Sequence, residues 1–164
     1  MAKVIYVVGD DISTDIIYPG RFMATVLPSE TPQFAFADDA EFNGRLKRGE
    51  VEKGSVIVAG DNFGCGSSRE QAASTLKGWE LTVVAKGFAR IFMQNAVNLG
   101  LRLVICPTIE AKLGDELEFT ADKVVNKTMG KEFPVVPFPP AKQAIIDAGG
   151  LIAYARKKLL EMPA

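Results

Sequence analysis

Between residues 56 and 105, three short apolar runs alternate with two stretches of helical character. The runs are VIVA at 56–59, LTVVA at 81–85 and LRLVI at 101–105. A strand apolar at nearly every position is covered on both faces, as in a parallel sheet sandwiched between layers. The intervening segments read as helices over 67–77 and 88–98, stopped by Gly78 and Gly100. Ser67 and Glu70 fit a capping box, with the serine as N-cap and the glutamate at the third helical position. Strand–helix–strand–helix–strand implies parallel strands joined by right-handed crossovers.

The flanks add to this core. Residues 4–8 read as a buried strand entering the loop Gly9-Asp10-Asp11. Residues 11–33 contain Pro19, Pro28 and Pro32 and no clean period. So long a loop is more often functional or mobile than decorative. Residues 34–49 suit one or two short helices. Beyond residue 110, short runs at 117–119, 123–126 and 132–136 suggest antiparallel strands, with a turn at Met129-Gly130. Pro140 opens a helix reaching Gly149-Gly150, and a basic helix over 151–160 follows. The expectation is one α/β domain over 1–164, with a mostly parallel central sheet and a smaller antiparallel C-terminal part.

Composition excludes several chemistries. The chain contains no histidine. That removes Ser–His and Cys–His pairs and the common zinc sites, so proton transfer falls to carboxylate, lysine, tyrosine, thiol or an activated hydroxyl. Net charge is −1, so no basic field draws the chain to nucleic acid or an anionic membrane. No apolar run approaches the roughly 18 residues of a membrane span. The N-terminus reads as a strand and not a signal peptide, which leads to an expected cytoplasmic location. Cys65 and Cys106, far apart, are expected to be reduced thiols and cannot hold an iron–sulfur cluster alone.

The segment DNFGCGSSREQAA, residues 61–73, has three readings. It can be a tight turn into a serine-capped helix. It can begin a dinucleotide loop of a nucleotide-binding regulatory module, although Arg69 stands where the third glycine belongs. It can be an anion site, with helical N–H groups and Arg69 holding a carboxylate and easing deprotonation of a serine.

Four segments in order carry a resemblance. Residues 64–73, GCGSSREQAA, resemble the G-x-G-S-S-R-E-x-A signature of the aconitase superfamily's swivelling domain. Residues 9–17, GDDISTDII, are similar to that family's first loop. Residues 85–92, AKGFARIF, and 94–101, QNAVNLGL, are similar to its two later motifs. At this length the chain resembles the separate small subunits of isopropylmalate, homoaconitate and dimethylmalate dehydratases. The resemblance implies a β/β/α three-layer fold. It implies a hydro-lyase acting on a small dicarboxylic hydroxy acid, working only with a large subunit that carries a [4Fe–4S] cluster. No cofactor or metal is expected in this chain. By resemblance Ser67 is the catalytic base, and Ser68, Arg69 and Asp15 bind substrate. Lys86 and Arg90 read as ordinary solvated charges, with a role for Arg90 in anchoring the domain as the alternative. Phe88, Ile91 and Phe92 read as core at helical spacing.

The same resemblance places substrate choice in the loop after the first motif. The homoaconitase-like pattern there carries an arginine for a third carboxylate. This chain reads Arg21-Phe22-Met23-Ala24-Thr25, with Ala24 at that position. A third carboxylate buried without a partner is costly, and Phe22, Met23 and Ala24 offer apolar surface instead. An alkyl-substituted malate is therefore expected, isopropylmalate of leucine biosynthesis first. Homoaconitate remains an alternative because Arg21 stands near enough to replace the missing arginine, and dimethylmalate and citramalate remain because Phe22-Met23-Ala24-Thr25 departs from the loop that the resemblance leads one to expect for isopropylmalate.

Overall fold

The computed structural model describes residues 1–163. Its centre is a seven-stranded sheet in the order β4-β3-β2-β1-β5-β6-β7. The strands are β1 (Ala2–Val7), β2 (Val56–Ala59), β3 (Thr82–Ala85), β4 (Arg102–Ile105), β5 (Glu116–Phe119), β6 (Lys123–Asn126) and β7 (Lys131–Pro134). β1 to β4 are parallel, with Val56, Ile57, Val58 and Ala59 paired to Thr82, Val83, Val84 and Ala85. β5, β6 and β7 continue antiparallel from the other side of β1. The sheet curls until its edges approach. Val136, just past β7, donates its N–H to the Ile105 carbonyl of β4 at 2.8 Å.

Strand alternation explains the two cores. Val4, Val56, Val58 and Val84 face Leu117, Val124 and Phe133 of the antiparallel half, with Cys106 and Ile109. Their sequence neighbours Ile5, Ile57, Ala59, Val83 and Ala85 face the helices. Those helices are α1 (Thr14–Ile17), α2 (Ala40–Lys47), α3 (Glu70–Gly78) and α4 (Arg90–Leu99). The parallel half is thus the middle of three layers, which is why its strands read as continuous apolar runs. α5 (Pro140–Asp147) and α6 (Leu151–Glu161) close the chain against α4.

The segment 11–33 is more ordered than its composition suggests. It contains α1 and two 3-10 turns, Gly20–Phe22 and Thr31–Phe34. The second turn is tied to α3 and its C-cap by hydrogen bonds. Thr75 Oγ1 donates to the Thr31 carbonyl at 2.7 Å, Thr31 and Ser74 share a hydroxyl contact at 2.9 Å, and Trp79 Nε1 donates to the Pro32 carbonyl at 2.7 Å. Gly78 belongs to this contact and not to a left-handed cap. A Cβ there would lie 2.2 Å from Pro32 Cγ, and the helix runs through Gly78 to a cap at Trp79.

Two further expectations need correction. α3 begins at Glu70 with Arg69 as N-cap, and no side chain caps it. Ser67 lies two residues too early, so the capping box does not form. Ile91 is 52 % exposed and not core, whereas Phe92 is buried and Phe88 packs against it. The apolar face of α4 is centred on Phe92, Ala96 and Val97, which turns Ile91 outward.

Candidate active site

The parallel pairing of β1 with β2 does not stop where the strands end. Val8 N–H donates to the Val58 carbonyl, and Gly60 N–H to the Gly9 carbonyl. Asp11 N–H then reaches Asp61, Gly64 N–H reaches Ile12 at 2.7 Å, and Thr14 N–H reaches Cys65 at 2.7 Å. On the other side, Lys86 N–H donates to Gly60, Phe63 N–H to Gly87 and Ala89 N–H to Phe63. Three of the four sequence motifs therefore meet as adjacent loops at the carboxyl ends of parallel strands. Open α/β sheets commonly place ligands at this edge. The fourth motif joins through Asn95, whose Nδ2 donates to the Ser68 carbonyl at 3.3 Å.

Two glycines shape the turn. Gly64 has φ 86° and lies directly on Phe92, where a Cβ would come within 2.2 Å of the ring. Phe63, Phe88 and Phe92 pack as an aromatic cluster beneath it. Gly66 has φ 100°, a conformation that other residues adopt only at a cost, and it redirects the chain before Ser67. Ser67 and Ser68 end up exposed. Because α3 has no side-chain cap, its first N–H groups stay open to an incoming anion.

Ser67 is not free of partners. Its Oγ lies 3.1 Å from Thr14 Oγ1, and Thr14 Oγ1 is also 3.2 Å from the Ser67 carbonyl. Thr14 is 2 % exposed at the start of α1, with Ser13 as N-cap. Residue-by-residue reading missed Thr14, though it sits inside the quoted first-loop motif beside Asp15.

Arg69 is anchored in the same loop. Its Nη1 donates to Asp15 Oδ1 at 2.9 Å and to the Tyr18 carbonyl at 3.2 Å, and the side chain is 15 % exposed. Its Nε is buried with no partner among the described residues. Asp15 Oδ1 also accepts the Gly20 N–H at 2.8 Å. That backbone bond first, and Arg69 second, hold the Asp15 carboxyl below its ordinary range. Asp15 thus aims the guanidinium. Lys86 and Arg90 are exposed, and neither joins an ion pair among the described residues.

The loop over 21–25 borders this group. Arg21 bonds Asp38 Oδ1 at 2.6 Å and stacks over Phe22. Phe22 in turn stacks on Phe34 with ring centroids 4.0 Å apart. Its ring is therefore occupied, and Met23 and Ala24 form the exposed apolar part. Tyr18 Oη donates to the Phe22 and Thr25 carbonyls at 3.0 and 3.2 Å, and Gln71 Nε2 donates to the Met23 carbonyl at 3.2 Å.

Among the described residues no three His, Cys, Asp or Glu side chains gather as a metal site. Cys106 is buried, its thiol pushed up to about 11 by burial, and it points at the Pro134 carbonyl. No helix among the described residues is long and apolar enough to cross a membrane.

Residues 12–106 match the Aconitase C-terminal domain, the segment that spans the converging loops. The chain belongs to the aconitase C-terminal domain family. It is 46% identical over 157 residues to the 3-isopropylmalate dehydratase small subunit of Moorella thermoacetica, covering 92% of each chain. It is 43% identical to the 3-isopropylmalate dehydratase small subunit 1 of Archaeoglobus fulgidus, covering 90% of this chain and 92% of that one. The crystal structure of the 3-isopropylmalate dehydratase of Methanocaldococcus jannaschii superposes with a TM-score of 0.86 at 39% identity, over 96% of this chain and 94% of that one. Family membership and the three-layer architecture agree. The match spans β2, β3 and β4 with α1 to α4, whereas β1 precedes it and the antiparallel strands β5 to β7 lie beyond it.

Proposed function

We propose that this single-domain chain is the small subunit of a 3-isopropylmalate dehydratase, a cytoplasmic hydro-lyase of leucine biosynthesis. It acts with a large subunit as a heteromer. The observation that carries the proposal is the convergence of Ser67, Arg69, Asp15 and the open N-terminus of α3 at one exposed edge, in a chain so similar to named small subunits.

Ser67 takes the proton from the substrate carbon that lies next to a carboxylate. Its alkoxide is stabilised by the N–H groups at the start of α3 and by Arg69. Arg69 and Ser68 bind a substrate carboxylate. Asp15 keeps Arg69 in place. A [4Fe–4S] cluster held by the large subunit would supply the Lewis acid for the leaving hydroxyl. The site is exposed in this chain because the large subunit forms its other wall.

Substrate choice follows from the neighbouring loop. Ala24 is exposed, and Arg21 is paired with Asp38, so a third carboxylate would have to compete with Asp38 for a cation. The exposed apolar surface of Met23 and Ala24 suits an alkyl substituent. The test is an activity panel on the complex assembled with the large subunit, covering isopropylmalate, dimethylmalate, citramalate and homoaconitate. Isopropylmalate should be turned over best, and Ser67→Ala should abolish activity while leaving assembly intact. Preference for homoaconitate would sink the substrate assignment, and an active Ser67→Ala complex would sink the base assignment.

A further inference from the structure

We infer that Thr14 is a positioning residue for Ser67, whose hydroxyl turns between two acceptors as the serine gains and loses its proton. The inference rests on the dehydratase reading above. A threonine hydroxyl has one proton and two acceptor lone pairs. Thr14 Oγ1 has two oxygens of the same residue in reach, Ser67 Oγ at 3.1 Å and the Ser67 carbonyl at 3.2 Å. It can donate to only one at a time.

Which one is decided by the state of Ser67. While Ser67 carries its proton, its hydroxyl donates to Thr14 Oγ1, and Thr14 donates to the Ser67 carbonyl. Every proton then has an acceptor. When Ser67 is an alkoxide, it has nothing to donate and becomes the stronger acceptor. Thr14 then turns its proton onto Ser67 Oγ, forming a charge-assisted bond. When the substrate's proton arrives on Ser67 Oγ, the Thr14 proton returns to the carbonyl. Thr14 keeps its own proton throughout, so the transfer balances between substrate carbon and Ser67 alone.

The surroundings suit this role. Thr14 is 2 % exposed, so water competes little for its hydroxyl. Its backbone is held from both sides, by its N–H on the Cys65 carbonyl at 2.7 Å and by its carbonyl accepting the Tyr18 N–H at 2.8 Å. Its β-branched side chain has few rotamers.

The test uses the assembled complex with Thr14→Val and Thr14→Ser. Valine keeps the shape and removes the donor, so kcat at neutral pH should fall roughly 10- to 100-fold, as on loss of one donor to a developing oxyanion. KM should change less than about twofold, because the bond strengthens only when the serine is ionised. The limb of kcat that rises as the base ionises should move to higher pH, since the alkoxide has lost a stabilising donor. Serine should restore both rate and profile. If the valine chain fails to assemble, Thr14→Ala is read by the same limb. An unchanged limb with either variant, or equal losses with valine and serine, overturns the inference. Ser67→Ala separates the two levels: an active complex overturns the base assignment and this inference with it, whereas an inactive one beside an unshifted Thr14→Val overturns this inference alone.

Discussion

The turn at residues 61–69 and the loop at residues 19–25 border the same site but are built differently. The turn is stitched by backbone bonds to loops on both sides and rests on three aromatic rings. The loop is held by side chains reaching for its carbonyls, chiefly Tyr18 and Gln71, with Met23 and Ala24 in the open. Proton transfer needs groups held within a few tenths of an ångström, and a backbone ladder provides that. Accommodating one alkyl group or another needs only surface, so a softer loop suffices. A fold can thereby keep its chemistry while its selectivity changes.

The largest expected effect breaks the rigid side of the comparison. Gly64→Ala would place a Cβ inside Phe92 at a positive φ. The combined strain should cost roughly 3 kcal/mol or more, read as a fall in the denaturant midpoint. A loss near zero would mean that the turn yields, and the contrast with the loop would collapse. A smaller effect belongs to the loop's own tether. Tyr18→Phe removes the one proton shared between the Phe22 and Thr25 carbonyls and should cost about 1–2 kcal/mol. Amide exchange should quicken over residues 19–25 and stay unchanged over residues 61–69. Equal acceleration in both would show the two to be one unit. The smallest effect on stability comes from Ala24→Arg. At an exposed position the midpoint should stay within about 0.5 kcal/mol of wild type. Turnover by the complex should shift from isopropylmalate toward homoaconitate, and an unchanged preference would remove Ala24 from the specificity argument.

Local pattern carried much of the fold. β2 matches the VIVA run residue for residue, and α4 ends at Gly100 in the left-handed conformation that its glycine suggested. The strands and the turn at Gly130 followed from apolar runs and glycine placement. The failures share one cause. Ser67 has the spacing of a capping box, but Gly66 redirects the chain and the serine's hydroxyl meets Thr14 instead. Gly78 looks like a helix stop, yet its constraint is Pro32, 46 positions earlier in the chain. Phe22 looks like pocket lining, yet Phe34 occupies its ring. Each contact pairs residues far apart in sequence or on separate elements, where periodicity carries no signal.

The sequence by itself determined the layered architecture, the exclusion of histidine chemistry and the family signature. These depend on residue type and short-range spacing, which any stretch of chain displays. Only the tertiary structure decided that Thr14 meets Ser67 and that Asp15 pairs with Arg69. Those outcomes depend on the β1–β2 ladder running past the ends of its strands. Its register fixes which residue of one loop faces which residue of the other, and register is a property of two segments together.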